Sequence, residues 1–233
     1  MQHEDYDIDS LAKYLHIEKQ KVEKLTNRGR IPGHRVDGKW RFSPQEIHQW
    51  LEQRLGVLDQ EELAQVEGAM ARQSTALPED STISSLLSPE TISIPFGGKT
   101  KSSVIQSMSE LAASTGLLWD IEKMASAVRE REDMQTTALE SGVALLHPRR
   151  PLSSILGQPI LALGVAGRGV PFGGNSLTDV FWLICSTDET THLKTLARLS
   201  RIISNSEVLE EIRSAESGRS AYDVICSAEE ALN

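Results

Sequence analysis

Residues 131–150 read REDMQTTALESGVALLHPRR, and the apolar run inside them, Val143-Ala144-Leu145-Leu146, decides how the larger part of the chain is built. A short apolar run bounded by a glycine (Gly142) and a proline (Pro148) reads as a strand. His147 stands where that strand ends, just before Pro148-Arg149-Arg150. A histidine in such a position can present its imidazole at the rim of a sheet. On either side the texture alternates between strand and helix. Upstream lie ISSLLSPETISI, KSSVIQSMSELAAST and IEKMASAVRERE; downstream lie the strands PILALGVA and VFWLICST and the helices THLKTLARLSRII and SEVLEEIRSA. Mixed strands with crossing helices over residues 83–233 predict an α/β domain with a mixed sheet flanked by helices.

The chemistry of that domain centres on three side chains. His192 opens a helix after Ser186-Thr187-Asp188-Glu189, 45 residues beyond His147, and Arg131 ends another helix 16 residues before it. One nucleophilic imidazole with a second imidazole and a guanidinium nearby suits phosphoryl transfer. The attacking nitrogen must be neutral, and the transferred group carries negative charge that cations or donors stabilise. Nothing resembles a Walker A loop, so the phosphoryl source would not be a nucleotide bound in one. The glycine-rich GVAGRGVPFGG does not follow a strand and open a helix as GxGxxG does, and it reads as a bend. Cys185, within an apolar run, reads as a small core residue. No third ligand accompanies His147 and His192, so no metal and no cofactor is expected.

The first 56 residues have a different pattern. Ile8, Leu11 and Leu15 share a helical face, with Asp9 or Ser10 available as N-cap. A second periodic run, Val22 and Leu25, stops at Gly29, which makes a helix-turn-helix pattern. HRV and KWRF then flank Asp37-Gly38, the favoured pair for a type I′ hairpin. Ser43-Pro44-Gln45-Glu46 offers a capping box with proline at the first helical position, and the helix it opens turns Ile47, Trp50 and Leu51 toward the core. Trp40 is expected to pack the hairpin onto that helix. His16, His34 and His48 share no metal-ligand spacing and read as surface or wing residues.

The net charge of the chain is -9. Residues 1–56 carry ten Lys/Arg against nine Asp/Glu, so the remainder is at -10. Within residues 19–41, eight basic residues face only Glu23 and Asp37, a local charge of +6. Whole-chain acidity argues against nucleic acid as a partner, but this local charge argues for double-stranded DNA. Lys19, Gln20, Lys21 and Lys24 project from the second helix away from its apolar stripe.

Residues 57–82 lack aromatics and end rich in Pro, Ser and Thr. A helix over about 59–72 would serve either as a dimerising element or as a plain linker. No run of eighteen apolar residues crosses a membrane, MQHEDYDIDS lacks the pattern of a secretory signal, and two cysteines without CxxC spacing suit a reducing interior. A cytoplasmic protein is expected.

Two resemblances sharpen these readings. Residues 6–55, through LAKYL, RGRIPGHRV, DGKWRF and IHQWL, resemble the excisionase branch of the MerR-like winged helix-turn-helix family. That resemblance implies a second helix in the major groove and a hairpin wing on the backbone. Lys19, Gln20, Lys21 and Lys24 would then face bases and phosphates, while Arg28, Arg30, Arg35, Lys39 and Arg41 would mostly contact phosphates. Residues 83–230 resemble the type 2 IIA proteins of the phosphotransferase system, the fructose/mannitol and nitrogen-regulatory branch. The likeness includes SSLLSPETI, Arg131-Glu132, Thr137, Gly142, Ala144, His147, the VPFGG segment and HLKTLARLSRII. It implies that His147 is the phosphohistidine, His192 the second active-site histidine and Arg131 the neighbouring cation, with Thr137 part of the same site. Phosphate would arrive from an HPr-like histidine phosphocarrier.

The chain departs from that family at Leu146 and Pro148, where proline and a small residue are usual, and at Thr137-Ala138-Leu139-Glu140-Ser141, where glycines are usual. A carboxylate on Glu140 near the site would repel an incoming phosphoryl group, and Pro148 removes a backbone donor. The reading that follows is a transcription regulator whose IIA-like domain accepts phosphate. A degenerate interaction or sensor module acting on a regulated protein target, and a sugar-transport phosphocarrier, are the alternatives. The absence of a IIB or IIC segment from these residues weighs against the last.

Overall fold

The computed structural model describes residues 5–15, 17–55 and 82–232. The helix expected at 59–72 and the side chain of His16 lie outside the described residues.

The N-terminal module opens with α1 (Ile8–Leu15) and α2 (Lys19–Asn27), followed by β1 (His34–Val36), β2 (Lys39–Arg41) and α3 (Pro44–Leu55). Asp7, not Asp9 or Ser10, caps α1. Its Oδ1 accepts from the Ser10 N–H at 2.7 Å, and the Ser10 hydroxyl accepts from the Asp7 N–H at 2.8 Å, a reciprocal capping box. The Ser10 N–H and hydroxyl, each donating to Asp7 Oδ1 at 2.7 Å, hold the Asp7 carboxyl below the usual carboxylate range. Asp37 (φ 50°) and Gly38 (φ 76°) both take left-handed backbone, as a type I′ turn demands. The resulting hairpin pairs His34 with Arg41 and Val36 with Lys39. Tyr6 and Phe42 add a further antiparallel bridge through two 2.9 Å backbone hydrogen bonds. Leu11, Val22, Phe42, Ile47 and Leu51 form the core of the module. Trp40 packs half-buried against Phe42, just before α3, with the Arg35 guanidinium 4.8 Å above its ring.

The second module is a four-stranded sheet between two helical layers. β3 (Ile92–Ser93), β5 (Ile160–Val170), β6 (Thr178–Cys185) and β4 (Val143–Leu146) lie side by side in that order. β3 runs parallel to β5, β5 antiparallel to β6, and β4 parallel to β6. Side chains alternate faces along each strand. Val180, Trp182 and Ile184 turn to one core, and Phe181, Leu183 and Cys185 to the other. The second core holds α5 (Lys101–Ala113) and α6 (Ile121–Met134); the first holds α4 (Ile83–Leu86), α7 (Glu189–Ile203), α8 (Ser206–Ser214) and α9 (Gly218–Glu230). Burial pushes the Cys185 thiol up to about 12, in keeping with an inert core residue. Of the glycine-rich segment expected to bend, residues 164–170 belong to β5, whose pairing with β6 shifts register between Val165 and Val170, and the chain bends beyond it at Gly173-Gly174. Gly142 (φ 82°) turns the chain into β4 with backbone that only glycine adopts without strain.

Helix α9, absent from the sequence-based outline, joins the two ends of this module. Glu229 accepts the backbone N–H groups of Ile83 (2.6 Å) and Ser84 (2.8 Å) at the start of α4, and the Arg198 Nε–H of α7 (2.5 Å). Burial alone would raise its pKa, but the hydrogen bonds from Ser84, Ile83 and Arg198 outweigh burial and hold it below the ordinary value. A depressed carboxyl contributes stability above its unfolded pKa, which is lost as pH falls through the folded value. Glu229→Ala should therefore cost about 3–5 kcal/mol at neutral pH by denaturant titration, as breaking a buried pair does. The difference from the parent should shrink progressively below about pH 4.

Candidate active site

Parallel pairing of β4 with β6 brings the carboxyl ends of both strands to one edge of the sheet, and α7 starts there after β6. Crevices at the carboxyl ends of strands are where open α/β sheets bind ligands. His147 continues β4 on the face that Leu145 turns toward α7, and His192 lies in the first turns of that helix. Their ring centroids are 4.9 Å apart with the planes tilted by 56°. Asp188 caps α7, accepting the Thr191 N–H at 2.8 Å and its hydroxyl at 2.6 Å, so the first turn and His192 with it are fixed.

The tautomer of His147 follows from one contact. Its Nδ1 is 2.8 Å from the Leu145 carbonyl oxygen. A carbonyl can only accept, so Nδ1 carries the proton and Nε2 the lone pair. Ser186 Oγ lies 3.4 Å from Nδ1 of His192.

The sequence-selected residues do not all share this centre. Arg131 ends α6 and donates from Nη1 to the Gln135 carbonyl at 2.8 Å, and it also lines a small cavity that His48, and neither His147 nor His192, borders. The Thr137 hydroxyl donates to Glu132, which also accepts the Thr137 N–H at 3.0 Å. Thr137 therefore holds its segment against Leu145, whose N–H reaches the Thr137 carbonyl at 3.5 Å, and is a positioning residue. Glu140, expected near the site, is exposed in the turn that enters β4, whereas His147 follows the strand's other end. The strand alone separates them by about 13 Å at ~3.3 Å per residue, so the repulsion expected from Glu140 does not arise at contact range.

The largest departure is His48. Expected at the surface, it is 5% exposed, its ring stacked on that of His192 at 5.5 Å and 19°. Helix α3 of the N-terminal module packs across α7, and Gln45 accepts a 2.7 Å hydrogen bond from Arg150 Nη2. Gln45, His48, Gln49, Arg131, Arg150 and Glu189, with Arg149, line a partly open cavity of about 20 Å³. Burial pushes the Tyr6 hydroxyl up, with Glu189 adding to the shift, so α7 faces this module at Tyr6 too. Among the described residues no cluster of three or more His, Cys, Asp or Glu is arranged to hold a metal ion. No helix among them is long and apolar enough to cross a membrane.

In the N-terminal module, Lys19, Gln20, Lys21, Lys24, Arg28, Arg30, Arg35 and Lys39 are exposed. Lys19 forms an ion pair with Asp9 at 2.8 Å, and half-buried Arg41 donates to the Trp40 carbonyl. The positive face is therefore weaker at Lys19 than a count of charges suggests, and Arg41 is less exposed than the other basic residues of this face.

Residues 85–228 match the family described as "Phosphoenolpyruvate-dependent sugar phosphotransferase system, EIIA 2". The chain belongs to that family. Residues 6–55 match a helix-turn-helix domain family. The chain is 28% identical over 147 residues to the fructose-specific EIIABC component of Bacillus subtilis, covering 61% of this chain and 23% of that protein. It is 27% identical over 154 residues to a nitrogen regulatory protein of Bradyrhizobium diazoefficiens, covering 61% of this chain and 94% of the relative. The crystal structure of the nitrogen regulatory protein IIA-Ntr from Neisseria meningitidis superimposes with a TM-score of 0.55 at 17% identity, over 61% of this chain and 98% of that one. The mixed sheet described above is thus the EIIA 2 fold.

Within the EIIA 2 domain, Arg149 and Arg150 could have been singled out from their place directly after His147. His48 could not, because its neighbours in sequence signal only a helix. The histidine geometry makes a direct prediction. Long-range 1H–15N correlation spectra should show the His147 proton on Nδ1, and an Nε2–H tautomer would contradict the nucleophile assignment.

Proposed function

We propose that His147 is the phosphoacceptor of a PEP-dependent relay, with DNA read by the N-terminal module, so that the chain acts as a transcription regulator. The observation that carries this reading is the 2.8 Å contact of His147 Nδ1 with the Leu145 carbonyl, which leaves the Nε2 lone pair as nucleophile. That lone pair attacks the phosphorus of a phosphohistidine on an HPr-like carrier. A new N–P bond forms at Nε2, the donor's N–P bond breaks, and the donor imidazole keeps the bonding electrons. The Leu145 carbonyl stabilises the Nδ1–H as the ring becomes more positive. His192 and Arg131 supply donor and positive charge to the phosphoryl oxygens, and Thr137 and Glu132 hold the strand entry behind them. The exposed Lys21, Lys24, Arg28, Arg30, Arg35 and Lys39 support contact with duplex DNA, chiefly with its phosphates.

A second reading, an EIIA 2 domain that binds a partner without accepting phosphate, is favoured by the burial of both histidines, His147 at 3% and His192 at 2% exposed. Incubation with PEP, enzyme I and HPr followed by intact-mass measurement separates the two. The parent should gain one acid-labile phosphoryl group, His147→Ala none, and His192→Ala and Arg131→Ala should gain it more slowly. A label that persists in His147→Ala, or is absent from every form, defeats the phosphoacceptor reading. In the same preparations, Lys21→Ala with Lys24→Ala should weaken binding to duplex DNA and reduce its log–log salt slope by about one unit per lost phosphate contact.

A further inference from the structure

We infer that helix α3 of the N-terminal module is a built-in plug on the phosphoacceptor site, competing with the phosphocarrier for the surface around His147. The inference rests on the phosphoacceptor reading for the carrier's identity, but the closure itself rests on geometry. His48 stacks on His192 at 5.5 Å, and His192 in turn lies against His147 at 4.9 Å, so α3 reaches the site through a continuous row of imidazoles. Gln45, one turn before His48 on the same helix, ties α3 to Arg150 at 2.7 Å. With α3 in place His147 is only 3% exposed, and the cavity next to His48 offers about 20 Å³, room for about one water. A phosphoryl group brings a phosphorus and three oxygens, and the carrier's own histidine must approach His147 along the same line.

The docked arrangement and the phosphorylated arrangement therefore exclude each other. In the docked form the guanidinium groups of Arg131, Arg149 and Arg150 border the cavity with one carboxylate, Glu189, among them. They are a ready set of cations for a phosphoryl group once α3 leaves. The chain accepts phosphate only in the fraction of time that α3 is undocked, and the observed rate is reduced by that fraction. Phosphate on His147 then holds α3 off, which frees the helix-turn-helix module to move relative to the EIIA 2 domain. The basic face on α2 and the hairpin is exposed while α3 is docked, so the plug acts on the phosphoacceptor and not by covering the DNA-contact residues.

The test uses the full chain and one exposed position. Gln45→Arg sets a cation against Arg150 and should open the site; Gln45→Glu offers Arg150 a carboxylate and should close it further. His48→Arg is a second opening variant. Two readouts are followed: the rate of phosphoryl gain from PEP, enzyme I and HPr, and the rate of carbethoxylation of His147 and His192 by diethyl pyrocarbonate, located by peptide mass. Exposed His34 on the hairpin is the internal reference. Both rates should rise by about 5- to 150-fold in the opening variants, the usual range of coupling between sites, and fall in Gln45→Glu. Carbethoxylation that follows this order while no form gains phosphate supports the plug and removes the phosphoacceptor reading. Equal carbethoxylation of His147 in the parent and all variants, at the rate of His34, overturns the plug whatever the phosphorylation result.

Discussion

The parallel pairing of β4 with β6 is the constraint from which the candidate site follows. Val143 lies beside Val180 and Leu146 beside Leu183, so both strands run to the same sheet edge, β6 two residues further. The chain leaves β4 as His147 and leaves β6 toward α7, and the two histidines meet although 45 residues separate them. A one-residue slip in β4 would turn His147 to the opposite face, toward the core of α5 and α6. The apolar filling of both faces, Leu145 on one side and Ala144 and Leu146 on the other, is what prevents it. The geometry of the candidate site is thus a by-product of register, and register is fixed by burial.

Much of this was legible in the sequence because it depends on local pattern. The strand ending at His147, the type I′ turn at Asp37-Gly38, the core residues of the first helix-turn-helix face and the helix opening near His192 are each written in a few neighbouring residues. The cap of α1 lies two or three residues before the candidates local pattern offers, since Asp7 and Ser10 act as a pair and either Asp9 or Ser10 alone looks adequate. Helix α9 was missed because Gly218 opens it and its buried apolar positions, Ala221 and Ile225, are few. Glu140 was placed near the site by adjacency in sequence, but an extended strand carries residues apart faster than any other element. His48 was invisible for a different reason. Its burial depends on the stack against His192, 144 positions away, and no local period records that.

The same long-range contact changes what fusing a helix-turn-helix module to an EIIA 2 domain achieves. A flexible link between non-touching modules would transmit almost nothing, because exposed charges are screened beyond ~8 Å at physiological salt. Direct packing of α3 on α7 replaces weak electrostatics with steric exclusion. The coupling then lies in helix packing rather than in the hairpin residues Arg35, Lys39 and Arg41, where competition between phosphate and DNA would otherwise be sought.

The contact between His48 and His192 is the point on which this account turns. Its most direct measurement is a nuclear Overhauser spectrum of the unphosphorylated full chain, with the histidine ring protons assigned. At a centroid separation of 5.5 Å with nearly parallel rings, cross-peaks between the two imidazoles should be present. Ring protons of His48 and His192 without any cross-peak, with the two modules tumbling at different rates, would contradict it.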